Sequence, residues 1–175
     1  MEVSDNLMFK RPTHDTISDI IESNLDYLVR FAYFRLGNRT EAEDIVHDAI
    51  LRFLERNVND ISPDRLRPYL FRIVYNLCLD RMRSVKKVLM LDGGHEIEDK
   101  AEDVADKEEA DRINVCLDIL PQHESEIIRM RVVDSLSFVD ISKILSIPQS
   151  TVKSRFKTGM DKLRKLFINH RDTCD

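Results

Sequence analysis

The strongest constraint on the fold lies in residues 136–166, near the carboxyl end of the chain. Apolar residues recur there at three- and four-residue steps, first over 138–145 and again from 148 onward, which predicts two amphipathic helices. Ser137 suits the N-cap of the first helix. Pro148 suits the first turn of the second helix, where its missing N–H is not needed. The stretch therefore predicts a helix-turn-helix.

The polar face of the second predicted helix begins with short hydroxyl side chains and long cations. Hydroxyl groups and lysines bind phosphates, while arginine, lysine and glutamine reach base edges in the major groove. This pattern is typical of a recognition helix, and a helical hairpin with a solvated basic face is the alternative. The candidate DNA-binding residues are Gln149, Ser150, Thr151, Lys153, Ser154, Arg155 and Lys157.

Composition places the chain among helix-rich proteins of one or two small domains. It has 175 residues, only 4 glycines and no tryptophan, and no run alternates apolar and polar residues strongly enough to predict a sheet. No apolar run approaches the roughly 18 residues of a membrane span, and the amino terminus lacks the apolar core of a signal peptide. We therefore expect an all-α protein that acts in the cytoplasm.

Catalytic and metal sites have no signature in this sequence. The cysteines, Cys78, Cys116 and Cys174, are scattered and show no metal-ligand spacing. We find no glycine-rich phosphate loop and no nucleophile–base pair. We expect no catalytic residues, no metal, no cofactor and no small-molecule substrate, and an enzyme is the most distant of the alternatives.

Charge is segregated along the chain, although the net charge is only -5. Residues 92–111 contain ten acidic residues and two lysines, whereas residues 65–87 and 148–171 each contain seven basic residues and one acidic residue. Electrostatic docking depends on this distribution more than on the sum. The pattern indicates two nucleic-acid contacts separated by an acidic segment.

The amino-terminal half predicts three helices, over about 15–36, 40–55 and 66–84. Thr40 with Glu43 forms a possible capping box for the second helix, and Pro68 fits the first turn of the third. The second helix should bury an apolar stripe that ends at Leu54. Its exposed stripe, an ordinary solvated face on its own pattern, consists of Asp44, His47, Asp48 and Arg52.

Aromatic and basic residues alternate along the third predicted helix. Tyr69, Phe71 and Tyr75 lie among Arg67, Arg72, Arg81 and Arg83. Stacking surfaces beside cations suit single-stranded nucleic acid. Aromatics that fill the core beside solvated arginines explain the same pattern equally well. For this helix alone the two interpretations remain open.

The predicted architecture is two small helical domains joined by a flexible acidic linker. We expect residues 1–14 to be disordered, 15–85 to form a three-helix-type domain, 86–105 to form the linker and 106–169 to form the helix-turn-helix domain. A charged linker of this kind permits many relative positions of the two domains.

The ordered set of motifs resembles the extracytoplasmic-function sigma factors, a bacterial family of the sigma-70 class. AEDIVHDAILRFLE at 42–55 is similar to the family's helix for core RNA polymerase, and PYLFRIVYNLCLDRMR at 68–83 to its helix for the -10 element. The stretch from LPQHESEIIRM to STVKSRF, residues 120–156, resembles the segment for the -35 element. The resemblance covers about residues 15–167. It implies a sigma-2-like and a sigma-4-like domain.

The resemblance implies a role for each candidate residue. Asp44, His47, Asp48 and Arg52 would contact core RNA polymerase, with His47 where the family usually has glutamine, and the recognition helix would enter the -35 major groove. Ser146 stands where the family has a turn glycine, which predicts a left-handed and mildly strained backbone. The implied -10 residues are Asn57, Asn59, Asp60, Arg67, Tyr69, Arg72, Tyr75, Asn76, Arg81 and Arg83.

The predicted function is that of an alternative sigma factor, which directs the polymerase to promoters and helps melt the -10 region. The implied partners are core RNA polymerase, promoter DNA (duplex at -35, single-stranded at -10) and an anti-sigma factor, possibly membrane-bound. Two rivals remain: a stand-alone helix-turn-helix regulator of duplex DNA, and a pure interaction protein.

Overall fold

The computed structural model describes residues 14–56, 61–92 and 104–171 and confirms the all-α class, since no residue in these ranges forms a strand. Residues 1–13, which fall in the segment predicted to be disordered, lie outside the described part. So do three predicted -10 residues, Asn57, Asn59 and Asp60. The α-helices are α1 His14–Leu36, α2 Arg39–Glu55, α3 Pro63–Asp92, α4 Val104–Asp118, α5 Gln122–Ile128, α6 Phe138–Leu145 and α7 Gln149–Arg171.

Helices α1, α2 and α3 pack as a bundle around an aromatic core. Val46, Ala49 and Phe53 recur at three- and four-residue steps on α2 and are fully buried. The rings of Phe31 and Phe71 meet edge to face at 5.3 Å, a favourable geometry for aromatic pairs. Leu54, predicted to end the buried stripe, is instead 51% exposed because it lies a step around the helix from Phe53.

Three predicted helix boundaries in this bundle are wrong. Asn38, rather than Thr40, caps α2, because its side-chain oxygen accepts the N–H of Glu41 at 2.9 Å. Helix α3 begins at Pro63, so Pro68 lies inside it and not in its first turn. The same helix continues to Asp92, through the first seven residues of the predicted linker.

The carboxyl-terminal helices surround the helix-turn-helix. Helix α5 runs into a wider, π-helical turn at Arg129–Val133, and α7 crosses α5 at Gly159. A Cβ at that glycine would lie 2.7 Å from the Cδ1 of Ile128, so the crossing requires the missing side chain. Lys162 then binds the buried carboxylate of Glu124, at 2.7 and 2.9 Å.

The two groups of helices form one closed body. Leu70 and Val74 of α3 belong to the same buried apolar cluster as Met130, Leu136 and Ile141 of the carboxyl-terminal half. Helix α6 lies directly against α3. The predicted linker permits many relative positions of the two domains, so the packing of α6 against α3 was not predicted. None of the described helices combines the length and the apolar character that a bilayer span requires.

Candidate nucleic-acid interface

The helix-turn-helix is built by local hydrogen bonds and a small apolar core. Ser137 accepts the N–H of Asp140 at 3.0 Å, which confirms it as the N-cap of α6. Ser146 adopts φ 55° and ψ 42°, the predicted left-handed turn. Ser142 donates its hydroxyl to the carbonyl of Ile147 at 2.6 Å and so stabilises this turn. The start of α7 is thereby fixed relative to α6.

The predicted recognition face on α7 is open to solvent. Val152 turns inward and is fully buried, and its neighbour Phe156 meets the ring of Phe138 at 5.3 Å. The opposite face presents the seven candidates, of which only Thr151 and Arg155 are partly buried. The charged ends of Lys153 and Lys157 pair with no side chain among the described residues. A duplex could therefore reach this face without breaking an ion pair of either lysine among the described residues.

The candidate -10 residues on α3 are in a different situation, because several are already engaged. Arg67 donates from Nε to the side-chain oxygen of Asn24 at 2.8 Å, and its NH1 lies 3.4 Å from the carboxylate of Asp140 on α6. Arg81 forms an ion pair with Glu41 of α2, which raises the pKa of Arg81. Arg83 pairs with Asp80 at 3.2 Å.

The aromatic candidates on α3 are partly buried. The ring of Tyr69 lies 6.0 Å from that of Phe53. The guanidinium carbon of Arg35 lies 5.8 Å from the centre of the Tyr75 ring. Burial raises the pKa of Tyr75 to about 12. The remaining two candidates, Arg72 and Asn76, are exposed. The α3 face thus combines exposed polar groups with aromatics that belong partly to the core, and its binding of single-stranded nucleic acid stays a prediction.

The outer stripe of α2 is exposed, as its pattern predicted. Asp44, His47, Asp48 and Arg52 all face solvent. His47 also lines a groove of about 560 Å³ between α1 and α2, which Glu109 of α4 borders and whose lining includes Val29 and Ile50. An exposed polar stripe beside an apolar groove is suited to binding a protein helix.

Arg35 is the polar residue that the sequence interpretation missed. Its guanidinium donates to the carboxylates of Glu126 at 3.2 Å and Asp134 at 3.1 Å, and to the carbonyl of Phe31 at 2.7 Å. Arg129 reaches in the opposite direction and donates to the carbonyl of Phe34 at 2.9 Å. These four side chains, Arg35, Glu126, Arg129 and Asp134, are called the Arg35 cluster below.

The Arg35 cluster is deeply buried, which perturbs its charges. Burial alone would lower the pKa of Arg35, but Asp134 and Glu126 outweigh it and raise that pKa. Burial raises the pKa of Asp134, although Arg35 lowers it in part. A signal for the cluster was present, because Arg35 falls seven residues after Leu28 and four after Phe31, on the apolar face of α1.

Two family models match this chain, one in each half. Residues 20–88 match the family Sigma-70 region 2, and residues 116–165 match Sigma-70, region 4. The chain is 32% identical, over 171 residues, to the ECF RNA polymerase sigma factor SigW of Bacillus subtilis (strain 168), with 89% of this chain and 91% of that protein covered. The chain belongs to the ECF sigma factors.

Other ECF sigma factors match over most of the chain. The ECF RNA polymerase sigma factor SigE of Mycolicibacterium smegmatis is 28% identical over 160 residues, which covers 87% of this chain and 62% of that protein. Among solved structures, CnrH in complex with the cytosolic domain of CnrY has a TM-score of 0.66 at 20% identity, covering 90% of each chain. The sigma factor RpoE of Bartonella quintana, in complex with the anti-sigma factor NepR, has a TM-score of 0.62 at 22% identity, over 86% of this chain and 97% of that one. At these identities the structures support the fold.

Proposed function

We propose that this ECF sigma factor binds core RNA polymerase in the cytoplasm and directs it to promoters, where it helps to open the -10 region. The observation that carries the proposal is the pair of surfaces on one chain: an open recognition face on α7 and an aromatic, basic face on α3. Two modest DNA contacts on one frame bind far more tightly together than either alone. The chain itself would perform no covalent chemistry.

The proposed division of labour follows the predicted domains. Residues 15–85 would bind the polymerase and the -10 strand, and residues 106–169 would bind the -35 duplex. The segment between them, predicted as a linker over 86–105, begins in the continuous helix α3. Arg72 and Asn76 support the -10 role because they are exposed beside the partly buried Tyr69 and Tyr75.

We also propose an anti-sigma partner for this chain. The structural neighbour CnrH was solved with the cytosolic domain of CnrY, and RpoE with the anti-sigma factor NepR. The groove between α1 and α2 is the apolar surface that such a partner could share with the polymerase. Competition between partner and core polymerase for the chain would be the expected behaviour.

Run-off transcription with purified bacterial core polymerase and a promoter library tests the proposal. We expect specific transcripts that depend on this protein and that fall at least about tenfold when Asp44→Ala and Asp48→Ala are combined, because both carboxylates lie on the proposed polymerase-binding stripe. Asp111→Ala with Asp118→Ala removes the same charge from exposed positions on α4 and is the matched control.

A different result would change the conclusion. If no transcripts appear, and the protein binds duplex promoter DNA tightly without polymerase, it is a stand-alone regulator. If transcription survives the loss of Asp44 and Asp48 at the level of the α4 control, the polymerase-binding stripe on α2 is wrong.

A further inference from the structure

Arg67 and Arg81 lie on the same side of α3, the side that faces the rest of region 2. They are 14 residues apart in the sequence, which places them within about 40° of each other around the helix and about 21 Å apart along its axis. Arg67 contacts Asn24 of α1, and Arg81 contacts Glu41 of α2. Each neighbouring helix of the bundle thus holds one arginine of α3.

The exposed candidates for -10 binding lie on the opposite side of α3. Arg72 comes five residues after Arg67 and is therefore about 140° around the helix from it. Asn76 comes five residues before Arg81 and stands in the same relation to it. Both candidates are exposed. A strand that contacts this exposed side passes on the far side of the helix from the two arginines.

The contact between Asn24 and Arg67 is strongly directed. Asn24 is only 7% exposed, and its Nδ2 donates to the carbonyl of Ile20 at 2.8 Å, which fixes the amide on α1. Its Oδ1 accepts from the Nε of Arg67 at 2.8 Å. The guanidinium carbon of Arg67 also lies 5.0 Å from the centre of the Phe71 ring, within the range of a cation–π contact. Two groups therefore fix the position of this guanidinium.

The contact between Glu41 and Arg81 holds α3 where its buried core residues end. The Nε of Arg81 donates to one carboxylate oxygen of Glu41 at 3.3 Å, and its NH2 donates to the other, which is bidentate geometry. Cys78 is fully buried, whereas Met82, one turn later, is 40% exposed. The ion pair thus fixes the helix just beyond the apolar core of the bundle.

These two contacts supply what apolar packing lacks, which is direction. Burial of apolar surface is non-directional, and a core tolerates repacking when its total volume is kept. Hydrogen bonds weaken steeply when the angle at the hydrogen departs from its preferred range. Two directed contacts about 21 Å apart on one side of a helix resist rotation of that helix about its axis. They therefore determine where its opposite side points.

We propose that Arg67 and Arg81 are positioning residues and not ligands of the -10 strand. Held by α1 and α2, they fix the rotation of α3 so that the opposite side, with Arg72 and Asn76, faces the strand. This inference rests on the proposed function. It changes the role of two arginines that the family resemblance implied to be -10 contacts.

Removal of each partner gives the first test, because the two roles predict opposite signs. Glu41→Gln and Asn24→Leu leave both arginines in place. Arginines that bound the strand would be released by these changes, and strand binding would become stronger. We expect instead that holoenzyme binds a single-stranded -10 oligonucleotide several-fold more weakly, because the exposed side of α3 is no longer preorganised. Glu43→Gln removes the same charge from an exposed ion pair on α2 and should leave strand binding unchanged.

The salt dependence of strand binding separates the two roles in a second way. Arg67→Ala and Arg81→Ala should weaken strand binding several-fold, while the slope of log K against log salt stays at the wild-type value. Loss of a direct phosphate contact would make that slope shallower by about 0.7, the value for one phosphate of a single strand. Arg72→Ala, on the exposed side of α3, should show this change.

Charge exchange gives a third test, in which binding is rescued. Arg81→Glu faces Glu41 with a like charge and should weaken strand binding. Adding Glu41→Arg restores an attractive pair between α2 and α3 and should return the Kd for the strand close to the wild-type value. A direct contact at 81 would not be rescued, because the carboxylate at that position would still repel the phosphates.

Binding to a -35 duplex is measured for every variant and should be unchanged if the protein is folded. If Asn24→Leu fails this check, Glu41→Gln decides, because the side chain of Glu41 is 31% exposed and its replacement leaves the core intact. Unchanged or stronger strand binding after partner removal, a shallower slope in Arg67→Ala or Arg81→Ala, or failure of the rescue would overturn the inference and leave the proposed function intact. A wild-type holoenzyme that binds the strand no better than core polymerase alone would overturn the proposed function, and the inference with it.

Discussion

The two proposed DNA-binding faces of this protein differ in how far its own fold already occupies them. The recognition face on α7 opens to solvent, and its lysines at 153 and 157 pair with no described residue. The face on α3 lies partly under α6, and Arg67 and Arg81 already hold carboxylates. One surface is open to solvent, and the other is partly occupied by contacts within the chain.

The contrast follows from the position of each helix in the closed body. Helix α7 needs only one face for its own region, where Val152 and Phe156 pack, so its polar face is left free. Helix α3 serves as core for α1 and α2 on one side and for α6 on the other. A helix that is packed on two sides has little exposed surface, so any binding partner must compete with the chain's own contacts for that surface.

Breaking the Arg35 cluster should have the largest effect. Arg35→Ala leaves Glu126 and Asp134 buried without their partner, and loss of one member of a buried pair costs about 3–5 kcal/mol. We expect the urea midpoint of unfolding to fall accordingly. Arg30→Ala is the control on the same helix, because this exposed arginine lies 5.2 Å from the ring of Phe34 and contributes about 0.5–1 kcal/mol. Equal losses in both variants would show that the Arg35 cluster does not hold the fold.

Removing cations from α7 tests the second face of the comparison, the one that is open to solvent. Lys153→Ala with Arg155→Ala deletes two proposed phosphate or base contacts. The slope of log K against log salt for holoenzyme on a -35 duplex should become shallower by about 0.9 for each phosphate that the variant no longer neutralises. Arg164→Ala with Lys165→Ala removes two exposed cations farther along the same helix. A slope change of the same size in that control would mean that the first turns of α7 do not enter the groove.

The smallest effect concerns the exposed contact between Asp64 and Lys143. Hydrogen bonds from Lys143 and from Ser62 hold the pKa of the Asp64 carboxyl below its ordinary value. A lowered pKa in the folded state means that this carboxylate stabilises the closed form above its unfolded pKa, and that the contribution is lost as pH falls through the lowered value. Carboxyl-detected NMR should record the low pKa. Lys143→Gln should raise it, and an unchanged value would exclude this contact in solution.

Local features of the fold could be predicted from the sequence. The N-cap at Ser137 and the exposed stripe of α2 depend on residues within one or two helical turns, and the structure has both. The left-handed Ser146, which the family resemblance implied, is present as well. The polar face of α7 was predicted for the same reason. Its role at the -35 element remains a proposal.

Features that depend on distant residues could not be predicted. Leu54 and the N-cap at Asn38 were misplaced because burial and capping were inferred from spacing alone. Arg35 meets Glu126 and Asp134 across 91 and 99 residues, and neither separation leaves a periodic trace. The packing of α6 over α3 likewise depends on residues that are far apart in the sequence. Packing between distant parts of the chain therefore sets the difference between the two faces, although each face can be located from its own helix.

Because of Pro68, the contact between Lys143 and Asp64 tolerates substitutions that would break a contact made by side chains alone. The acceptor that Lys143 finds at Asp64 is partly main chain, so it is present whatever side chain stands at 64, and Pro68 leaves that carbonyl without the helical bond that an N–H at 68 would give it. Substitutions at 64 can then tune how firmly the helix-turn-helix is held without abolishing the contact. The imino acid at 68 fixes where the contact is made.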